Sequence, residues 1–227
     1  MKISEVFYSL QGEGTLVGVP SVFVRTSGCN LRCVWCDTPY TSWVPEGDEW
    51  TLGRIVQTVA SFPASHVVVT GGEPMIAPQI AELTGQLRQR GLHITIETAG
   101  TVNSPVACDL MSISPKLKNS VPLEREGGRW AQQHDRLRWQ PKVLRELISA
   151  YSYQLKFVIA DPQDLTEVEQ MREALEASRA NILLMPEGTK AETIHERGVW
   201  LAEICKERGY RFSPRLHVDL WGDKRGV

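Results

Sequence analysis

The sequence has no apolar run approaching the roughly 18 residues that a membrane span requires. Its start, MKISEVFYSLQGEG, carries neither the apolar core nor the small-residue cleavage site of a signal peptide. These absences lead to the expectation of a cytoplasmic protein with no membrane partner. An excess of one charge is also missing. The chain has 25 Lys and Arg against 27 Asp and Glu, a net charge of −2, and a sequence pI of about 6.2. A general nucleic-acid binder would be strongly basic, so no nucleic-acid partner is expected. No internal repeat and no linker interrupts the chain. Residues 1–227 are therefore expected to form a single domain, and that length can bury a sizeable core. With 42% hydrophobic and 23% charged residues the composition is globular, not disordered.

Cysteine is scarce and unevenly placed. There are five: Cys29, Cys33, Cys36, Cys108 and Cys205. In a reducing cytosol, clustered cysteines point to metal rather than to disulfides. Cys108, at the edge of the apolar stretch PVACDLMSIS, reads as a small core side chain. So does Cys205, at an apolar helical position of GVWLAEICKERG. The other three share the stretch SGCNLRCVWCDTP (27–39), spaced C-x3-C-x2-C with no fourth cysteine nearby.

Three readings of that stretch compete. Structural zinc usually takes four ligands in separated pairs, so Asp37 or a distant histidine would have to complete the set. A redox pair, Cys33 and Cys36, leaves Cys29 without a task. An iron–sulfur cluster uses cysteine thiolates, usually four. With three, one iron stays open to a small molecule.

Around this loop the chain alternates. Strand-like runs are SVFVRTSG (21–28), SHVVVTGG (65–72), HITIETAG (93–100), DLMSISPK (109–116), YQLKFVIA (153–160) and NILLMPEG (181–188). Helical periodicity marks 51–62, with Thr51 as a cap, and 78–91, which stops at a glycine. It recurs over 141–152, 166–178 and 192–209. Residues 210–221 are extended in character. Such alternation indicates βαβ units and a parallel sheet. Six or seven strands suit an open or partial barrel better than a complete eight-fold one. In such folds the site lies at the C-terminal ends of the strands, where TGGEP, ETAG, SPK and MPEG would converge near the cysteine loop. Residues 119–140 break the rhythm and read as an exposed loop or a dimer contact. Residues 217–227 read as a solvated tail, with closure of the site or packing on a partner by Trp221, Lys224 and Arg225 as the alternative.

Two motifs together resemble the radical S-adenosylmethionine superfamily. One is the C-x3-C-x2-C loop with Trp35 before its last cysteine. The other is TGGEP (70–74), which follows a strand and is similar to that superfamily's GGE motif. FYSLQGEGTLVGVPSVFVRTSGCNLRCVWCDTPY (7–40), ETAGT (97–101), SPK (114–116), QLKFV (154–158) and LMPEG (184–188) resemble the 7-carboxy-7-deazaguanine synthase family within it. The likeness spans nearly the whole chain.

The resemblance implies an α/β fold: a partial, trimmed βα barrel with a mostly parallel sheet, whose exposed edge favours a homodimer. It implies one 4Fe-4S cluster on Cys29, Cys33 and Cys36, with S-adenosylmethionine on the open iron. Trp35, Asp37, Gly72, Glu73, Ser114, Pro115, Lys116, Gln154 and Lys156 would surround that cofactor. Glu73 would accept from the methionine ammonium, and Gly72 would allow backbone approach. The implied substrate is 6-carboxy-5,6,7,8-tetrahydropterin, and the reaction is a radical ring contraction with loss of ammonia. Leu10, Gln11, Gly12, Glu13, Arg25 and Thr70 would bind it, with Gln11 and Glu13 on the ring edge and Arg25 clamping the carboxylate. Magnesium would take Thr38, and an electron donor such as flavodoxin or ferredoxin is implied as a partner. Two rivals share part of this pattern. An activase that places a glycyl radical on a protein would need the cysteines but not QGEG and Arg25 as a pterin site. A zinc-stabilised binding module would be colourless.

Overall fold

The computed structural model describes residues 1–227. Nine strands form one continuous sheet: β1 (Lys2–Leu10), β2 (Pro20–Thr26), β3 (Asp48–Glu49), β4 (His66–Gly71), β5 (His93–Thr98), β6 (Leu110–Ile113), β7 (Tyr153–Ile159), β8 (Ile182–Pro186) and β9 (Arg211–Phe212). Their order is β3-β1-β2-β4-β5-β6-β7-β8-β9, parallel from β2 onward. The edge strands do not pair with each other, so the sheet is an open, partial barrel as expected. Val67, Val68 and Val69 of β4 are all buried, because a parallel strand has both faces covered.

Eight helices accompany the sheet: α1 (Pro39–Ser42), α2 (Leu52–Ala60), α3 (Ile80–Gln89), α4 (Ala131–Arg138), α5 (Pro141–Ala150), α6 (Asp164–Leu175), α7 (Ala191–Arg208) and α8 (Leu216–Trp221). Thr51 caps α2 by accepting the Arg54 N–H at 3.2 Å. Gly209 ends α7 in the left-handed conformation (φ 69°). The apolar faces of α2, α3, α5 and α6 join the sheet in one core, which also takes in Cys205, while Cys108 packs at its margin. No helix is long and apolar enough to cross a membrane.

Two expectations are corrected, and one strand was not anticipated. Residues 2–10 lie outside the βα rhythm, yet they form the long strand β1, antiparallel to β2 with Val6 opposite Val24 and Tyr8 opposite Val22. The extended reading of 210–221 holds only for Arg211–Phe212. Ser213 makes a last bond to the Leu184 carbonyl, and Pro214, which lacks an N–H, cannot continue the ladder; the chain then turns into α8. The segment 119–140 is not simply an exposed loop, because it folds over the cysteine loop and carries α4.

His134 of α4 is 1% exposed and pins that cover. Its Nδ1 accepts the Arg32 N–H at 3.0 Å, and its Nε2 lies 2.9 Å from Ser120 Oγ, which itself donates to the Leu117 carbonyl at 2.6 Å. This network accommodates the neutral, Nε2-protonated ring and no further proton. Burial, reinforced by the nearby Arg138 charge, pulls the His134 pKa down to about 4. The folded state therefore refuses a proton that the unfolded chain binds near pH 6.5. Stability should fall on acidification, by about 2 kcal/mol from this residue between about pH 7.5 and about pH 5. Urea unfolding of the protein and of His134→Gln at the two pH values checks this. The variant should lose less stability on acidification than the parent, and equal losses would refute the assignment.

Candidate active site

The C-terminal ends of the parallel strands open into a cavity of about 530 Å³. The loop that leaves β2 carries the cysteines, and its backbone is held from several sides. The Gly28 N–H donates to the Thr41 carbonyl (2.9 Å), and the Val34 N–H to the Ser120 carbonyl (2.9 Å). The Trp43 indole N–H donates to the Cys33 carbonyl (3.0 Å). Cys36 Sγ lies 3.1 Å from Ser42 Oγ and 3.8 Å from Thr38 Oγ1. Cys29, Cys33 and Cys36 all line the cavity as free thiols.

Burial pushes the Cys29 and Cys33 thiols up to about 12, with the Glu73 carboxylate adding to the effect at Cys29. A thiolate at either position therefore needs a strong cationic partner, which bound iron provides. No three His, Cys, Asp or Glu side chains are gathered around one point as a single metal ion would demand. A cluster asks for something different, a separate iron for each thiolate, and the donor set fits it.

Gly72 of TGGEP has a physical role in addition to the expected one. A Cβ on Gly72 would lie 2.2 Å from the Gly28 carbonyl oxygen and 2.8 Å from Cys29 Cβ. The close approach that needs glycine is between strand end and cysteine loop, not only toward a ligand. The contact is fastened by the Glu73 N–H, which donates to the Gly28 carbonyl at 2.9 Å.

The remaining expected residues divide. Leu10, Gln11, Gly12, Glu13, Arg25, Trp35, Asp37, Thr38, Thr70, Gly72, Ser114, Lys116 and Lys156 line the same cavity. Glu73, Pro115 and Gln154 do not. Glu73 is fully buried behind the wall, where its carboxylate accepts from Thr98 Oγ1 (2.7 Å), Ala99 N (2.8 Å) and Met75 N (3.1 Å). Burial raises its pKa against these bonds. Gln154 uses both ends of its amide internally, accepting from Thr15 N (2.9 Å) and donating to Ser112 Oγ (2.7 Å). Its neighbour Gly14 sits so close that a Cβ there would meet Gln154 Nε2 at 2.3 Å.

Several lining residues are partly committed. Gln11 donates to Glu97 Oε1 (3.1 Å) and accepts from Glu13 N (3.1 Å), which orients its amide. Lys156 is paired with Glu13. Lys116 donates to Ser114 Oγ (2.8 Å), and its ammonium lies 5.6 Å from the centre of the Trp35 ring. The Trp35 indole N–H donates to the Asn119 carbonyl at 3.1 Å. Arg25 donates through Nε to Glu5 Oε1 at 2.7 Å, which leaves its terminal nitrogens for a ligand. Tyr40 and Arg225 hold the same Glu5 (3.0 and 3.2 Å).

Sequence reasoning missed Arg215 and His217, and it held closure by the tail only as the alternative to a solvated one. Arg215 and His217 line the cavity from α8 and the residue before it, and residues 222–227 form part of the wall. The tail is thus not merely solvated: Arg225 ties it to Glu5, to Glu46 (3.1 Å) and to the face of Tyr40. A Cβ on Gly12 would collide with the His217 ring at 2.1 Å, so the first glycine of QGEG makes room for this histidine. No local signal in RLHVDLW marks these residues, because their partners lie some 200 residues away.

The family model described as Radical SAM superfamily matches residues 23–117. A 7-carboxy-7-deazaguanine synthase of Rhodopirellula baltica is 45% identical over 226 residues, which is 99% of this chain and 88% of that protein. This chain belongs to the 7-carboxy-7-deazaguanine synthase family. A synthase of the same name from Halobacterium salinarum is 43% identical over 98% of the chain and 91% of its own length. Among solved structures, QueE from Escherichia coli is similar with a TM-score of 0.69 and 25% identity, covering 95% of this chain and 94% of that one. TYW1 with a lysine-pyruvate adduct shares the fold alone, with a TM-score of 0.58 at 15% identity over 82% of this chain and 73% of that one. The chain is accordingly a radical S-adenosylmethionine enzyme, and the cofactors of the family are a 4Fe-4S cluster and S-adenosylmethionine.

The contact between Gly72 and Gly28 generates a test. Gly72→Ala should displace the cysteine loop and lower the iron bound after anaerobic reconstitution to less than about half that of the parent. Full iron content by assay and visible spectrum would show that the loop tolerates the methyl.

Proposed function

We propose that the chain converts 6-carboxy-5,6,7,8-tetrahydropterin to 7-carboxy-7-deazaguanine with loss of ammonia, a step of queuosine and 7-deazapurine biosynthesis. The supporting observation is the single cavity that brings the three cysteines together with the QGEG loop and the free edge of Arg25. Cluster and S-adenosylmethionine, when bound, supply one-electron chemistry that removes a hydrogen atom from the substrate. The protein's own part is to bind, orient and exclude water.

In this reading Cys29, Cys33 and Cys36 ligate iron. Asp37, Gly72, Ser114 and Lys116 border the cofactor, with Trp35 beside its adenine. Arg25 meets the substrate carboxylate through its terminal nitrogens while Glu5 fixes its other edge, an arrangement suited to a bidentate contact. Gln11, Glu13 and Thr70 offer polar atoms to the ring. Thr38 would offer its hydroxyl to magnesium, a hard cation that favours oxygen donors. Glu73 acts behind the wall, shaping the turn that meets the cysteine loop. Gln154 acts likewise, by holding Thr15.

Residues 1–227 act as one catalytic unit, supplied with electrons by a small donor such as flavodoxin or ferredoxin. A homodimer would protect an open edge of the sheet, where β3 and β9 each present only a two-residue strand.

Anaerobic purification with iron and sulfide assay, followed by dithionite, S-adenosylmethionine and the carboxypterin, tests the reading. The expected protein is brown, with about four irons per chain, and forms 5′-deoxyadenosine and the deazaguanine acid. Cofactor cleavage that ignores the pterin would remove the substrate assignment, and a colourless zinc protein would remove the chemistry. Cys33→Ala should abolish both cluster and activity. Arg25→Ala should raise the substrate KM by about 10- to 100-fold, as expected for losing a charge-assisted contact, while cofactor cleavage continues without product. An unchanged KM would exclude Arg25 as the carboxylate clamp.

A further inference from the structure

Arg215 occupies an unusual position in the cavity wall. It follows the last strand, is 5% exposed, and spends its guanidinium on three different segments. Nε donates to Glu13 Oε1 at 3.1 Å, one terminal nitrogen donates to the Gly188 carbonyl beyond β8, and the other to Asp37 Oδ2. Next to it the Leu216 N–H donates to the Gly12 carbonyl at 2.9 Å. Glu13 in turn gives its second oxygen to Lys156 of β7. The result is a chain of alternating charge, Lys156–Glu13–Arg215–Asp37, that crosses the wall from the middle of the sheet to the residue after Cys36.

The two carboxylates of this chain come from the two halves of the site proposed above, and one guanidinium brings them together. Glu13 belongs to the QGEG loop, assigned there to the substrate, and Asp37 follows the last cysteine, assigned there to the cofactor. They come from separate loops, and Arg215 is the group that binds both. A planar fork with five N–H groups can hold two carboxylates and a carbonyl at fixed angles, whereas a lysine is a point charge without that geometry. Stability alone does not call for such a chain, since well-packed apolar side chains commonly serve as well as buried ion pairs. Orientation does call for it, because cofactor and substrate must meet within a fraction of an ångström.

The geometry points to Arg215 as a positioning residue that locks Glu13 and Asp37 into one wall and so keeps the cofactor and substrate subsites in register. This rests on the function proposed above, but it can be judged apart from it. Arg215→Lys keeps the charge and loses the fork. In the reconstituted enzyme it should retain the parent's thermal midpoint and iron content. Its affinity for S-adenosylmethionine, measured by equilibrium dialysis, should fall about tenfold, the scale of one charge-assisted hydrogen bond. The carboxypterin KM should rise by a similar factor, and more cofactor should be cleaved per product formed.

Wild-type affinity for S-adenosylmethionine in a folded Arg215→Lys enzyme would overturn the inference, whether or not the parent turns over the pterin. A parent that ignores the pterin, beside a variant that still loses cofactor affinity, would overturn the substrate reading and uphold Arg215. Should Arg215→Lys fail to fold, Arg215→Gln keeps a polar donor at the same position and loses both the fork and the charge, and the same two outcomes decide.

Discussion

Gly72 meets the Gly28 carbonyl with no room for a side chain, and this backbone contact registers the cysteine loop on the sheet. Everything above the strand ends depends on it. The loop bearing Cys29 leaves β2, and the turn bearing Gly72 leaves β4, its parallel neighbour. Parallel pairing brings the two C-terminal ends side by side, and the absent Cβ lets them touch. Glu73 completes the join from behind, its N–H on Gly28 and its carboxylate on the turn after β5. A carboxylate with no exposure is stabilised there by three hydrogen bonds, so the GGE motif is a structural joint.

The walls of the cavity obey the electrostatics of a partly buried space. Several charges on or beside them are held by opposite ones: Glu13 by Lys156 and Arg215, Glu5 by Arg25 and Arg225. An unpaired charge here would cost far more than on the surface. Pairing also directs the groups. Glu5 takes one edge of Arg25 and turns the other toward the interior. The cover over the cysteine loop follows the same logic with a neutral group, since His134 satisfies the Arg32 N–H only while unprotonated.

Much of this was legible because it is written in short stretches. The βα alternation from residue 21 to residue 209 foretold the parallel sheet, since buried strands and amphipathic helices differ in period. The cysteine spacing and TGGEP are local motifs, and the cavity gathers them. The first strand escaped notice because its partner is antiparallel and it stands outside the alternation. Gln154 and Glu73 were expected at the surface of the site, but their polar atoms satisfy neighbouring backbone and hydroxyl groups.

The sequence by itself determined the chemistry available: three thiols on one short loop, glycines where backbones must touch, and a strand order that gathers loops at one end. Tertiary structure alone decided what completes the walls. Arg215, His217 and Arg225 act on Glu13, Gly12 and Glu5 across nearly the full length of the chain. No periodicity or spacing encodes contacts at that separation. They exist because the last helix and the tail fold back across the open side of the sheet, and only the folded chain brings those charges together.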